Sequence, residues 1–189
     1  RIFWREDFSV RMTNRGRQQA VEQKKIYLGK RRFIQEGIAM ADEFFNLAGS
    51  DEYAAKILCE NRCYTQAAYF YIQSMEKYIK GYICQKINIT NKTYANMLRG
   101  LGHSLDEVVD LLIKIISGND ERLKQQVEYQ LKAVILRNVC FSVMYNAVRY
   151  PYYGKQQYSI TDIGSEDCKI LEEIYDGLKN YLKQLSIML

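Results

Sequence analysis

Apolar positions in the body of this chain recur with a helical period rather than alternating. Ile34, Ile38, Ala41 and Phe45 follow a four-three-four spacing. Gly49-Ser50-Asp51-Glu52 reads as a break and then an N-cap with an acidic first turn, after which Tyr53, Ala54, Ile57 and Leu58 resume an amphipathic helix. Tyr64, Ala68, Tyr71, Ile72, Met75, Ile79, Tyr82 and Ile83 make the clearest apolar face, with Gln73, Glu76, Lys77 and Lys80 on other faces. Glu76 and Lys80 are an i, i+4 pair in the favourable order.

Residues 87–104 hold Asn88, Thr90, Asn91, Gly100 and Gly102 and read as a loop. Ser104 with Glu107 is a capping-box pattern, and Val108, Leu111, Leu112 and Ile115 are the buried face behind it. Leu123, Val127, Leu131 and Val134 open a long helix over 121–149, kinked within and stopped by Pro151. A Tyr-rich loop follows to Gly164. Ser165 caps a last helix with Ile170, Ile174, Leu178, Leu182 and Leu185 as its stripe. The pattern predicts an all-α fold, an up-and-down bundle of four to five helices whose members 64–83, 106–116, 121–149 and 166–186 are antiparallel to their neighbours.

Within the long helix, Asn138, Ser142, Tyr145 and Arg149 share one face of a stretch expected to be buried. A polar stripe there is either a solvent edge or a working surface. Arg137 and Arg149 each need a partner in such apolar surroundings. The partner is either a carboxylate such as Glu76, or a phosphate, with Tyr150, Tyr152 and Tyr153 available for base stacking.

Charge adds an asymmetry. The net +5 of the 189 residues arises in residues 1–32, which carry ten basic and three acidic residues. Residues 33–189 are close to neutral. A basic N-terminal arm, 1–32, is expected, able to add a salt-sensitive contact to nucleic acid or to remain a solvated extension. The five cysteines fit no small disulfide scaffold and read as buried thiols of a cytoplasmic protein. Cys59 and Cys63 stand at i, i+4, but one histidine in the chain leaves no ligand set for zinc; no metal and no cofactor is expected. No run of 18 apolar residues predicts a membrane span. No Gly-rich phosphate loop and no nucleophile elbow is present.

Three stretches together resemble the HEPN (higher eukaryotes and prokaryotes nucleotide-binding) domain family. Tyr64-x-x-Ala67-x-Tyr69-Phe70-x-x-Gln73-x-x-Glu76-Lys77-x-x-Lys80 looks like its second core helix. His103-Ser104-Leu105 is similar to its short His-x-Leu segment, and Tyr145-x-x-x-Arg149-Tyr150-Pro151 resembles the Arg-Tyr-Pro segment of prokaryotic members. The resemblance covers residues 33–189. It implies a helical bundle, often a homodimer, with roles in toxin–antitoxin or antiphage defence. Many HEPN proteins are metal-independent ribonucleases whose motif is Arg, often followed by Asn, and then His after four to six intervening residues. Arg137-Asn138 matches the start of that motif, but Ser142 stands where the histidine is most expected, and serine cannot shuttle a proton near neutral pH. His103, the one histidine, reads as a structural or capping residue.

Three functions follow as expectations. The first is a non-catalytic module that binds RNA, nucleotide or a partner subunit, with Arg137, Arg149, Tyr145 and Tyr150 as its ligand-binding residues. The second is a metal-independent endoribonuclease with a nonstandard site, for which Arg137, Asn138 and Ser142 are the catalytic candidates. The third is a purely structural dimerisation domain. A homodimer, or pairing with a related subunit, is expected through the face of Asn138, Ser142 and Tyr145, and no membrane partner is expected.

Overall fold

A computed structural model of the chain describes residues 28–30, 37–87 and 91–188. The chain divides into two units, Arg1–Phe33 and Ile34–Leu189. Of the first, only Leu28, Gly29 and Lys30 are described, with Gly29 at a positive φ of 81°. The expected basic arm and Ile34 otherwise lie outside the described residues.

The second unit is an all-helical bundle. Its elements are α1 (Gly37–Glu60), α2 (Tyr64–Lys86), α3 (Lys92–Gly100), α4 (Leu105–Ser117), α5 (Glu121–Glu128), a π-helical turn (Tyr129–Ile135), α6 (Phe141–Ala147), strands β1 (Tyr152–Gly154) and β2 (Gln157–Ser159), and α7 (Ser165–Met188). Helix α2 is the centre, packing on α1, α4, α6 and α7. Its predicted face from Ala68 to Ile83 is buried, with Tyr64 half-buried at its start. No helix among the described residues is long and apolar enough to cross a membrane.

The predicted break at Gly49–Glu52 does not exist: α1 runs through it. Ser50 donates to Asn46 O at 2.9 Å instead of capping a new helix. Asp51 forms an ion pair with Lys77, and Ser74 donates to Ala48 O at 2.7 Å. Ala41, Ala48 and Ala55, spaced by seven, are wholly buried, so α1 and α2 pack closely along their length. A continuous helix is what that seam requires. Gly49 itself is exposed, and a Cβ there would meet nothing within 4 Å. Gly49→Ala is therefore expected to stabilise the fold by about 0.5–1 kcal/mol. Thermal melting followed by circular dichroism should rise by about 1–4 °C.

The loop predicted over 87–104 contains α3, with the Asn91 side chain accepting from Thr93 N at 2.9 Å as its N-cap. Helix α4 starts as predicted, Ser104 Oγ accepting from Glu107 N at 3.3 Å. At α7 the cap differs from expectation. Ser165 is already helical, and Asp167 reaches back to accept from Gly164 N at 2.8 Å. The buried stripe of α7 is Leu171, Ile174, Tyr175, Leu178 and Leu182; Ile170 is exposed. Helix α7 also runs parallel to α2 rather than antiparallel. Cys168 meets Tyr64, Tyr175 packs on Tyr78, and Leu182 lies beside Tyr82.

The single helix expected over 121–149 is broken. The π-helical turn carries Leu136 N to Leu131 O at 2.8 Å, one residue further back than an α-helix allows. The extra residue rotates the face, so Leu136 turns inward after Leu131 while Val134 is half-exposed. Arg137 and Asn138 follow at φ 53° and 56°. The stretch read as a buried helix is mostly exposed, and only its middle, Phe141–Ala147, is helical. The Tyr-rich loop closes as a hairpin, Tyr153 opposite Tyr158, through Lys155 and Gln156 at φ 50° and 62°. Two consecutive positive φ values match the twist of a two-residue hairpin. Gly154 lets the Tyr152 ring lie over it, where a Cβ would stand 2.5 Å from ring atom Cε1.

Burial also sets the acid–base behaviour of the core. It pushes the Cys84 thiol up to about 11 and the Cys168 thiol up to about 12, and raises the Tyr71 and Tyr175 phenols. These groups stay neutral in the fold at a pH where the unfolded chain ionises them. The stability they contribute is intact below pH 9 and is lost as pH rises from 9 towards about 12. A pH series of urea midpoints should fall across that window. At pH 8, a thiol reagent should label exposed Cys63 and Cys140 first and leave Cys84 and Cys168 for the unfolded chain.

Candidate functional site

The polar residues of α2 supply the site's floor. Tyr69, Gln73, Glu76 and Lys80 are spaced four, three and four apart and so share one face. Glu76 is 2% exposed and Lys80 7%, so the favourable i, i+4 pair read from the sequence lies in the interior. Lys80 Nζ donates to Glu76 Oε1 and to Gly102 O, both at 2.7 Å. Gln73 Nε2 donates to the other carboxylate oxygen at 3.0 Å. Every charge in this network has a partner, which a buried carboxylate and ammonium require.

The bond to Gly102 O ties down the loop before α4. Gly102 takes φ 55°, and the loop sets the next residue, His103, over the network. His103 Nδ1 stands 3.6 Å from Glu76 Oε1, an electrostatic contact longer than a hydrogen bond. Its side chain is 70% exposed, and its ring stacks on Tyr145 at 6.4 Å between centroids.

Helix α6 supplies the other wall. Phe141, wholly buried, anchors its first turn, and Asp106 of α4 accepts from Ser142 N at 2.8 Å. That seating brings Tyr145 onto Tyr69, rings stacked at 5.7 Å. Arg149, one turn on, lies 4.7 Å from the Tyr145 centroid, 4.8 Å from Tyr150 and 6.0 Å from Tyr69. Its guanidinium donates to Tyr150 OH at 2.9 Å. Among the described residues no carboxylate pairs with it. Burial, and then the neighbouring Tyr69 phenol, push the Tyr145 hydroxyl above the usual phenol range against the pull of Arg149. Tyr145 therefore remains a neutral donor at neutral pH.

The structure thus gathers Tyr145, Tyr150 and Arg149 into one surface and adds His103 and Tyr69, which sequence reasoning left out of the site. The missed signal was the four-three-four polar stripe of α2. Arg137 and Asn138 do not join this surface, and Ser142 lines only the groove beside it, between α6 and the hairpin. Arg137 is exposed and pairs with Glu173 of α7 at 3.0 Å, not with Glu76. Asn138 donates its N–H to Lys132 O at 2.8 Å and lines a cavity of about 270 Å³ with Asp106, Lys132 and Cys140. The Ser142 hydroxyl faces Cys140 Sγ at 3.5 Å. The left-handed turn at 137–138 takes Asn138 off the face it was expected to share with Ser142, Tyr145 and Arg149.

Cys59 packs half-buried at the core edge while Cys63 is exposed, donating to Asn61 O. Among the described residues no three His, Cys, Asp or Glu side chains converge as a metal site would need. Comparison of the chain with protein-family models, with curated proteins and with solved structures finds no match.

Proposed function

We propose that residues 33–189 are a HEPN-like module that holds a phosphate-bearing ligand, RNA or nucleotide, at Arg149, without cutting it. The observation that carries this reading is convergence. Three stretches far apart in the chain, those on which the family resemblance rests, meet around one aromatic cluster: Gln73, Glu76 and Lys80 below, His103 at the side, Tyr145, Arg149 and Tyr150 above. Arg149 is held among tyrosine rings with its charge unmatched by a carboxylate among the described residues. That arrangement suits an anion arriving from outside. The tyrosine faces suit a base. On this reading the module serves a prokaryotic defence or toxin–antitoxin system in the cytoplasm, as a homodimer or beside a related subunit.

A second reading has one observation in its favour. His103 and Arg149 contact the same Tyr145 ring, and Glu76 lies beside His103. A metal-independent ribonuclease would use Arg149 to steady the scissile phosphate and His103 to move the proton. The 3.6 Å gap between His103 and Glu76 leaves the imidazole without a hydrogen-bonded carboxylate to orient it.

One experiment separates the readings. Labelled single-stranded RNA is incubated with the protein and a chelator, and binding and cleavage are measured together. The expected outcome is binding that falls about tenfold or more in Arg149→Gln, no cleavage, and an unchanged melting temperature, because Arg149 is exposed. Cleavage lost in His103→Gln would overturn the non-catalytic reading. Light scattering of the same sample tests the dimer.

A further inference from the structure

Next to Arg149 lies a groove of about 540 Å³ between α6 and the β1–β2 hairpin. Tyr150 joins the two: its hydroxyl accepts from Arg149, and the same side chain lines the groove. We propose that this groove is a nucleobase subsite, so that the ligand of the Arg149 site is an unpaired nucleotide of a single strand rather than a duplex. The proposal rests on the phosphate reading of Arg149 and adds what the rest of the ligand must be.

The groove's chemistry makes the case. None of its lining residues carries a formal charge. A phosphate would gain nothing inside it and would sit outside, at the guanidinium. Its walls are the tyrosines Tyr150 and Tyr152 with Val143 and Ala147. Thr161 brings a hydroxyl to it and Asn146 an amide whose Nδ2 already donates to Ser142 O at 3.0 Å, leaving its oxygen as the acceptor on offer. A nucleobase has the matching form: flat, uncharged, with apolar faces and a polar edge. An aliphatic side chain of a protein partner would leave the Asn146 oxygen and the Thr161 hydroxyl without use. The volume falls within the range of small-ligand pockets, about 300–1,000 Å³. A base stacked inside a duplex cannot enter such a groove, whereas an unpaired one can turn out of its strand and stack on tyrosine.

The test is fluorescence anisotropy with three labelled RNA probes of one length: a mixed-sequence single strand, its duplex, and an abasic strand with the same phosphates. The expected result is that the single strand binds about tenfold tighter than either of the others, the worth of one stacked base. Tyr152→Ser and Asn146→Leu alter the groove without changing its charge, at exposed positions that leave the fold intact. Each should lower single-strand binding towards the abasic level and leave abasic binding unchanged, while Arg149→Gln weakens all three probes. If the three probes bind alike and all depend on Arg149, the phosphate reading stands and the base subsite is overturned. If no probe binds, both are overturned. If light scattering shows a dimer that Tyr152→Ser dissociates, the groove is a contact between copies and the proposal is overturned.

Discussion

Lys80→Met will lower the melting temperature more than any surface change in this chain. Lys80 neutralises a carboxylate that is 2% exposed, and the substitution leaves Glu76 charged in the interior with only Gln73 donating to it. Removing one partner of a buried ion pair costs about 3–5 kcal/mol. For a domain of this size that is about 6–20 °C in melting temperature. The same ammonium holds Gly102 O, so the His103 loop loosens as well. Lys80→Met combined with Glu76→Gln should recover much of the loss, because the stranded charge is gone. Circular dichroism melts of the single and double variants give the answer. A Lys80→Met protein that melts like the parent would mean that the pair is not buried as described.

Phe141→Ala has an expected cost of similar size. The ring is wholly buried at the first turn of α6, and truncating such a residue costs about 3–5 kcal/mol through lost burial and the cavity left behind. Helix α6 has seven residues and too little length to persist alone. Its anchoring is therefore also the anchoring of Tyr145 and Arg149. Urea unfolding should show the lost stability, and RNA binding measured well below the midpoint should weaken in the same variant. A variant losing under about 1 kcal/mol would show that Asp106 and the hairpin hold α6 without Phe141.

The features that local chemistry controls could be read from the residues alone. The α2 face follows from a period of 3.6, and the α4 start from a serine that can reach the amide three residues on. The all-helical class follows from the absence of alternating patterns in the body. Other features depended on what lies across the gap. Gly49-Ser50-Asp51 has the local chemistry of a helix break, yet the alanine seam with α2 and the bonds to Lys77 and Ser74 keep α1 whole. Residues 136–140 have the pattern of a helix and are not one. Left-handed φ costs roughly 1–2 kcal/mol at Arg137 and less at Asn138, whose short polar side chain tolerates it. Burial of Leu136 and Phe141, and the Asn138 N–H bond to Lys132 O, offset that cost.

The candidate site divides the same way. Tyr145, Arg149 and Tyr150 are neighbours in sequence and could be chosen together. Spacing along one helix points from Arg137 to Ser142 and carries no information on a histidine in another loop. His103 meets Arg149's aromatic cluster only because Lys80 holds its loop and Phe141 seats α6. Helical period is a property of a few consecutive residues. Which loop faces which helix is set by burial and ion pairing between segments distant in the chain, and only the tertiary structure decides it.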